Sequence, residues 1–251
     1  MARCKRKQLA VLLLLLCTVF IPTLSHADDA GLILNAGASH KIKKGLNVDI
    51  ESEFRSRNNF RTADRVSLGA SISYKVLPWL KASGGYELLI DNNHEKITYH
   101  SDGEYNNWRP SYWGLRHRFN VSLTASHKIN RVEVSLRERW QYTYRPSKLI
   151  DNFDFDEGMW EDYQVRSKNK HVLRSRLQLE WDIPKFKFDP YASVEFHTSD
   201  RLDKTRVIAG VEYTIKKTHG FKLFYRYQNV NGNDDDEPDI HMAGLGYTFK
   251  F

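Results

Sequence analysis

Along most of this chain apolar and polar residues take turns, so that successive stretches of roughly 10 to 14 residues each carry two unlike faces. In 46–57 the apolar side holds Leu46, Val48, Ile50 and Phe54, and the other side Asn47, Asp49, Glu51, Glu53, Arg55 and Arg57. The same period predicts strands over 32–42, 65–76, 80–90, 112–129, 132–145, 171–182, 188–198, 205–215, 221–230 and 240–251. Short connections near Lys44, Pro78, Asn130, Pro184 and Thr218 alternate with long ones around Asn59, Glu104, Phe155, Arg201 and Asp235. A sandwich or a soluble lipocalin-like barrel requires no such alternation. An all-β, antiparallel up-and-down transmembrane β-barrel does, with short periplasmic turns and long outer loops. Trp79, Trp113, Trp140 and Trp181 fall near strand ends, as interfacial girdles require.

Eleven such segments sit awkwardly with a single-chain barrel, which has an even number of strands and both ends on the periplasmic side. The expectation is about ten to twelve strands, twelve favoured, with Lys96–His100 (KITYH) supplying the hidden one. Glu138 breaks the alternation of its segment, which predicts a bulge or a lumen-facing pocket there.

The two ends of the chain point the same way. Residues 1–27 combine a basic opening (Arg3, Lys5, Arg6, Lys7), an apolar run from Leu9 to Ile21, and Ser25-His26-Ala27 as a small-x-small cleavage site. That pattern is a secretory signal peptide, leaving 28–251 as the barrel and predicting export to the bacterial outer membrane. The last residues, from His241 to Phe251, alternate apolar with small or polar side chains and stop on an aromatic. Tyr247, Phe249 and Phe251 resemble the terminal strand by which such barrels are read by the barrel-assembly machinery.

Removing the leader changes the charge. The full chain has 38 Lys and Arg; less the four in the leader, and against 31 Asp and Glu, the balance is +3. Nucleic acid is therefore not an expected partner. Both cysteines, Cys4 and Cys17, also leave, so no disulfide, thiol chemistry or cysteine metal site is expected. Beyond the leader no apolar run approaches the ~20 residues of a membrane helix.

The runs WGLRHRFNVSL (113–123), VEVSLRERWQY (132–142), VLRSRLQLEW (172–181) and DKTRVIAGVEYTI (203–215) resemble an uncharacterised domain-of-unknown-function family of bacterial outer-membrane barrels with Arg- and Glu-rich strands. The resemblance implies fold and location and supplies no activity.

Charged side chains facing lipid at mid-bilayer cost up to about 2–4 kcal/mol each, so the charged faces are expected inside. That makes Glu51, Glu53, Arg55, Arg116, Arg118, Arg137, Arg139, Arg174, Arg176, Glu180, Glu195, Arg206, Glu212 and Arg226 the candidate pore lining, with outer-membrane lipid outside. Three readings of that lining are open. It is a closed structural or surface-interaction barrel plugged by arginine–carboxylate pairs; it is a passive pore in which i, i+2 arginine pairs guide small anionic solutes; or the protein is a lipid-modifying enzyme. The last needs a nucleophile and base at a rim, and His94, His100, His117, His127, His197 and Ser111 form no recognisable motif, so no catalytic residue is assigned. The acidic stretches 151–163 and 234–239 match no calcium-loop spacing, and no metal or cofactor is expected.

Overall fold

The computed structural model describes residues 29–184, 187–231 and 238–251. The leader and the acidic run Asp234–Glu237 lie outside them. In chain order the described strands are β1 (Asp29–Lys43), β2 (Leu46–Arg57), β3 (Thr62–Leu77), β4 (Leu80–Asn93), β5 (Lys96–Tyr99), β6 (Tyr105–Arg109), β7 (Tyr112–Ile129), β8 (Val132–Arg145), β9 (Lys148–Asp154), β10 (Met159–Val165), β11 (Lys168–Trp181), β12 (Phe188–Thr198), β13 (Leu202–Ile215), β14 (His219–Val230) and β15 (Ile240–Lys250).

Eleven of these close a barrel in the order β1-β15-β14-β13-β12-β11-β8-β7-β4-β3-β2. The count corrects the preference for twelve. Strands that alternate up and down leave the first and eleventh pointing the same way, so closure requires one parallel seam. It lies between β1 and β15, with Leu34 opposite Leu245. β1 therefore starts at the long-connection end and β15 finishes at the short-turn end, against the expectation that both chain ends share the short-turn side.

Local bonds fix both ends of that seam. The Asp29 carboxylate accepts from the backbone N–H of Asn58 and of Asn59, each at 2.9 Å, and Phe60 N–H donates to Ala30 O at 3.2 Å. Asn58, Asn59 and Phe60 all hold positive φ, a conformation a Phe adopts only when its surroundings impose it. At the other end Phe251 N–H donates to Ser39 O, Lys41 N–H to Phe251 O, and Lys250 N–H to Thr218 O.

The two faces of the closed sheet are unlike. Ile50, Leu68, Val121, Leu123 and Leu223 are all more than half exposed on the outside, whereas Ser67, Ser122, Gln141, Glu195 and Arg206 are buried within. The inner face is not polar all round, however. Ile33, Phe224, Ile240 and Met242 form a buried apolar cluster along the β1–β15–β14 seam, with Tyr191 and Ile208 packed against it. Gly244 makes room for it, since a Cβ there would lie 2.1 Å from Phe224 Cζ.

Four neighbouring strands continue past the barrel rim. β4, β7, β8 and β11 each break for two residues (94–95, 110–111, 146–147 and 166–167) and resume as β5, β6, β9 and β10, in the same lateral order. Pro110 and Pro146 stand at two of the breaks, where a missing N–H interrupts the ladder. The resulting four-stranded flap is joined across its middle by Asn107 opposite Asp154 and Trp108 opposite Phe153. The stretch KITYH thus contributes a flap strand, β5, and no spanning strand. Nor does Glu138 mark a bulge. The β8 register runs unbroken against β7 and β11, and Glu138 lies on the outward face, accepting from Ser175 Oγ at 2.6 Å.

The parallel seam is directly testable, because every cysteine of the sequence precedes β1. Leu34→Cys combined with Leu245→Cys should form an oxidative cross-link within one chain of the folded barrel, visible as a shift in non-reducing gel mobility. A twelve-stranded antiparallel closure would leave that pair unlinked.

Candidate functional site: an arginine-lined lumen

Because side chains alternate across each strand, Arg137 and Arg139 on β8 and Arg174 and Arg176 on β11 all point inward. Registration sets Arg139 directly opposite Arg174, and Arg137 opposite Arg176. Like charges so placed repel. Glu195 on the adjacent β12 offsets that repulsion: its Oε2 lies 2.7 Å from Arg137 Nη2, and its Oε1 2.6 Å from Arg174 Nη2 and 3.7 Å from Arg206 Nη1. His197 Nε2 completes the hub at 2.8 Å from Oε1.

A second network lies on β3, β4 and β7. Asp91 binds Arg65 and, at 3.0 Å, Arg116; Glu87 takes Arg118 at 3.0 Å and the Ser67 hydroxyl at 3.1 Å. On β2, Arg55 turns onto its own neighbour Glu53 at 2.6 Å. Such charge-assisted pairs belong to the stronger class of hydrogen bond.

Carboxylates nevertheless run short. The central cavity of about 400 Å³ is lined by fourteen Arg and Lys but only six Asp and Glu. Arg139 reaches only the Ser122 hydroxyl, at 2.9 Å. Nε of Arg145, Arg176 and Arg226 is buried with no hydrogen-bond acceptor among the described residues. Cations thus outnumber carboxylates around the lumen.

A second cavity of about 360 Å³ lies between the rim and the inner face of the flap. It shares Arg65, Arg116, Arg145 and Lys168 with the central one, so four cations stand where the two meet. Above them Arg109 lies over the Tyr163 ring at 3.6 Å and donates to Asn152 Oδ1 at 3.2 Å. Asn152, almost fully buried, donates in turn to Glu161 at 2.6 Å.

Twelve of the fourteen anticipated lining residues border the central cavity. Glu180 and Glu212 do not. They face inward nearer the short-turn end, where Glu180 stands opposite Glu133 and Glu212 opposite Asp189, with Lys222 Nζ 3.3 Å from Glu212. Beyond them Lys128 donates to Asp182 at 2.9 Å, and that hydrogen bond with its charge holds the Asp182 carboxyl below its usual range. Asp91 escaped the sequence reading because β4 runs three residues past the apparent end of its alternation; continuing the period from Glu87 through Leu89 would have placed it inside. Tyr247, Phe249 and Phe251 are exposed at the short-turn end, the last two rings 5.5 Å apart. The rim histidines lie on separate surfaces: His117 bonds Tyr86 outside the barrel, His100 meets Asp156 on the flap, and His197 sits in the lumen hub.

Residues 31–238 match the family model DUF2490, described as a protein of unknown function. The chain belongs to that family. Among solved structures, the β domain of the Bordetella autotransporter BrkA aligns with this DUF2490 protein at a TM-score of 0.52 and 12% identity, over 74% of this chain and 76% of that one. The likeness is one of fold. The NanC porin aligns at a TM-score of 0.45 and 14% identity, over 89% of this chain and 99% of that one. No curated protein matches the sequence.

Glu195 is the most heavily used carboxylate of this DUF2490 lumen, so Glu195→Gln should leave Arg137, Arg174 and Arg206 without their counter-charge. Breaking a buried pair this way costs about 3–5 kcal/mol. The expected result is a lower urea midpoint for the detergent-solubilised barrel. Glu212→Gln, whose partner is the exposed Lys222, should change the midpoint far less.

Proposed function

We propose that this protein is an outer-membrane β-barrel that passes small anionic solutes passively between the space beneath the flap and the short-turn mouth. The outward apolar faces suit acyl chains, and the leader-like first 27 residues suit export. The excess of arginine and lysine over carboxylate in the central cavity carries the reading. Its positive potential raises the local concentration of anions and repels cations. The i, i+2 arginine pairs offer successive shallow sites, which is what conduction needs: binding favourable enough to enter and weak enough to leave. Solute meets the four cations beneath the flap, then the arginines of β8 and β11, and leaves past the carboxylates of Glu133, Glu180, Asp189 and Glu212, where repulsion favours release. No catalytic step and no cofactor belong to this reading.

A second reading treats the lumen as closed, with the Glu195 and Asp91 networks acting as a stabilising plug. Planar-bilayer recording of the purified barrel separates the two. The pore gives discrete conductance steps with an anion-directed reversal potential in a salt gradient. Arg176→Ala with Arg226→Ala should cut that preference severalfold while leaving the ion pairs of Glu195 and Asp91 in place. A silent bilayer, or cation preference, rejects the pore.

A further inference from the structure

The flap presents two unlike surfaces. Its inner side, with Arg109, Asn152 and Tyr163, closes over the second cavity. On its outer side Ile97, Trp108, Phe153 and Trp160 stand in register as one row across all four strands. Tyr99, Tyr105 and Phe155 extend that row, and the rings touch in sequence at centroid distances of 5.1–5.5 Å. Tyr99, Tyr105 and Trp160 are each about half exposed. So much open aromatic surface, on a sheet outside the barrel wall, is characteristic of a surface that meets a partner.

Charge and edge geometry say what kind. On the same outer side, two residues along from the Phe153–Trp160 pair, Asp151 stands directly opposite Asp162. Both are exposed, and neither makes a hydrogen bond or ion pair with a described residue. Opposed like charges destabilise a sheet unless a cation settles between them. Residues 148–165 hold six Asp and Glu against the single Lys148, with Arg and Lys excluded from the hairpin's tip. The lumen behind has the opposite sign, so a cationic approach is drawn to the flap and turned away from the pore. Finally, β10 is the end strand of the flap sheet, with one edge of its backbone unpaired by any described strand.

We propose that the outer face of the flap docks an extended, lysine- or arginine-rich polypeptide segment. The segment adds as a strand along β10, so alternate side chains fall on the outer face. Their cationic heads settle between Asp151 and Asp162 and over the face of Trp160, within the ~6 Å at which a cation is drawn to an aromatic ring. A neutral glycan would stack on the same rings but leave the carboxylate pair unopposed, which is why a cationic polypeptide is the better fit.

The proposal stands apart from the pore, since binding is read without conductance. The full barrel in detergent is titrated calorimetrically with three probes: an octapeptide of alternating lysine and valine, its glutamate counterpart, and a linear neutral glucan. Folding of each variant is checked by its heat-dependent gel mobility. The lysine peptide should bind alone among the three, more weakly as salt rises. Asp151→Asn with Asp162→Asn, and separately Trp160→Ala, should each weaken it about tenfold or more. Lysine-peptide binding unchanged by these variants, equal binding of the glutamate peptide, or binding of the glucan in place of the lysine peptide would each overturn the assignment.

Discussion

Closing a sheet on itself with its polar face inward forces every spanning strand's charges into one narrow volume, and the rest of this structure follows from how that crowding is relieved. Two adjacent strands, β8 and β11, bring four arginines face to face. A lone buried guanidinium is expensive to keep charged. Relief comes from the next strand over: Glu195 sits one strand away from the pair and reaches Arg174 and Arg137 together. The next stretch of wall repeats the device with Asp91 between Arg65 and Arg116. The Glu195 hub joins β8, β11, β12 and β13 and the Asp91 hub joins β3, β4 and β7, so each network laces successive strands of the wall together as well as balancing charge. Around the central cavity cations still outnumber carboxylates.

Period-two patterning reveals which face a residue takes, and here it does so accurately. The bounds of β2, β7, β8 and β12 agree with the alternation residue for residue, and Glu51 through Arg226 turn inward as their parity demands. Parity is silent about height along the barrel, however. Glu180 and Glu212 share the lumen face with Arg176 and Arg206, yet lie too near the short turns to border the central cavity. It is equally silent about partners. Glu138 looks misplaced in a one-dimensional reading, but Ser175, thirty-seven residues on, stands opposite it on the outer surface and donates to its carboxylate. The flap strands of four to seven residues are too short for alternation to distinguish from polar loop, so only their pairing reveals them.

The odd strand number belongs to the same class of hidden fact. Eleven alternating segments can be counted along the chain, but whether the last lies beside the first in parallel is a property of closure. Parallel pairing is slightly less stable per residue than antiparallel pairing. In this barrel the seam is also where the inner face changes character. Ile33 from β1 and Ile240 and Met242 from β15 are buried together with Phe224 from β14, over whose ring the Arg226 guanidinium lies at 5.7 Å. Burying large side chains of this kind contributes on the order of 1.5–3 kcal/mol apiece.

That apolar cluster explains an otherwise puzzling asymmetry of composition. Inward positions on β15 read Ile240, Met242, Gly244 and Gly246, where β8, β11 and β13 carry arginine and glutamate. A charged residue at Gly244 would have to displace the Phe224 ring that now fills its place. Packing at the seam and charge elsewhere are thus two solutions to one problem. Where backbone pairing is weaker the interior is filled with hydrocarbon, and where antiparallel ladders already hold the wall the interior can carry the excess of positive charge.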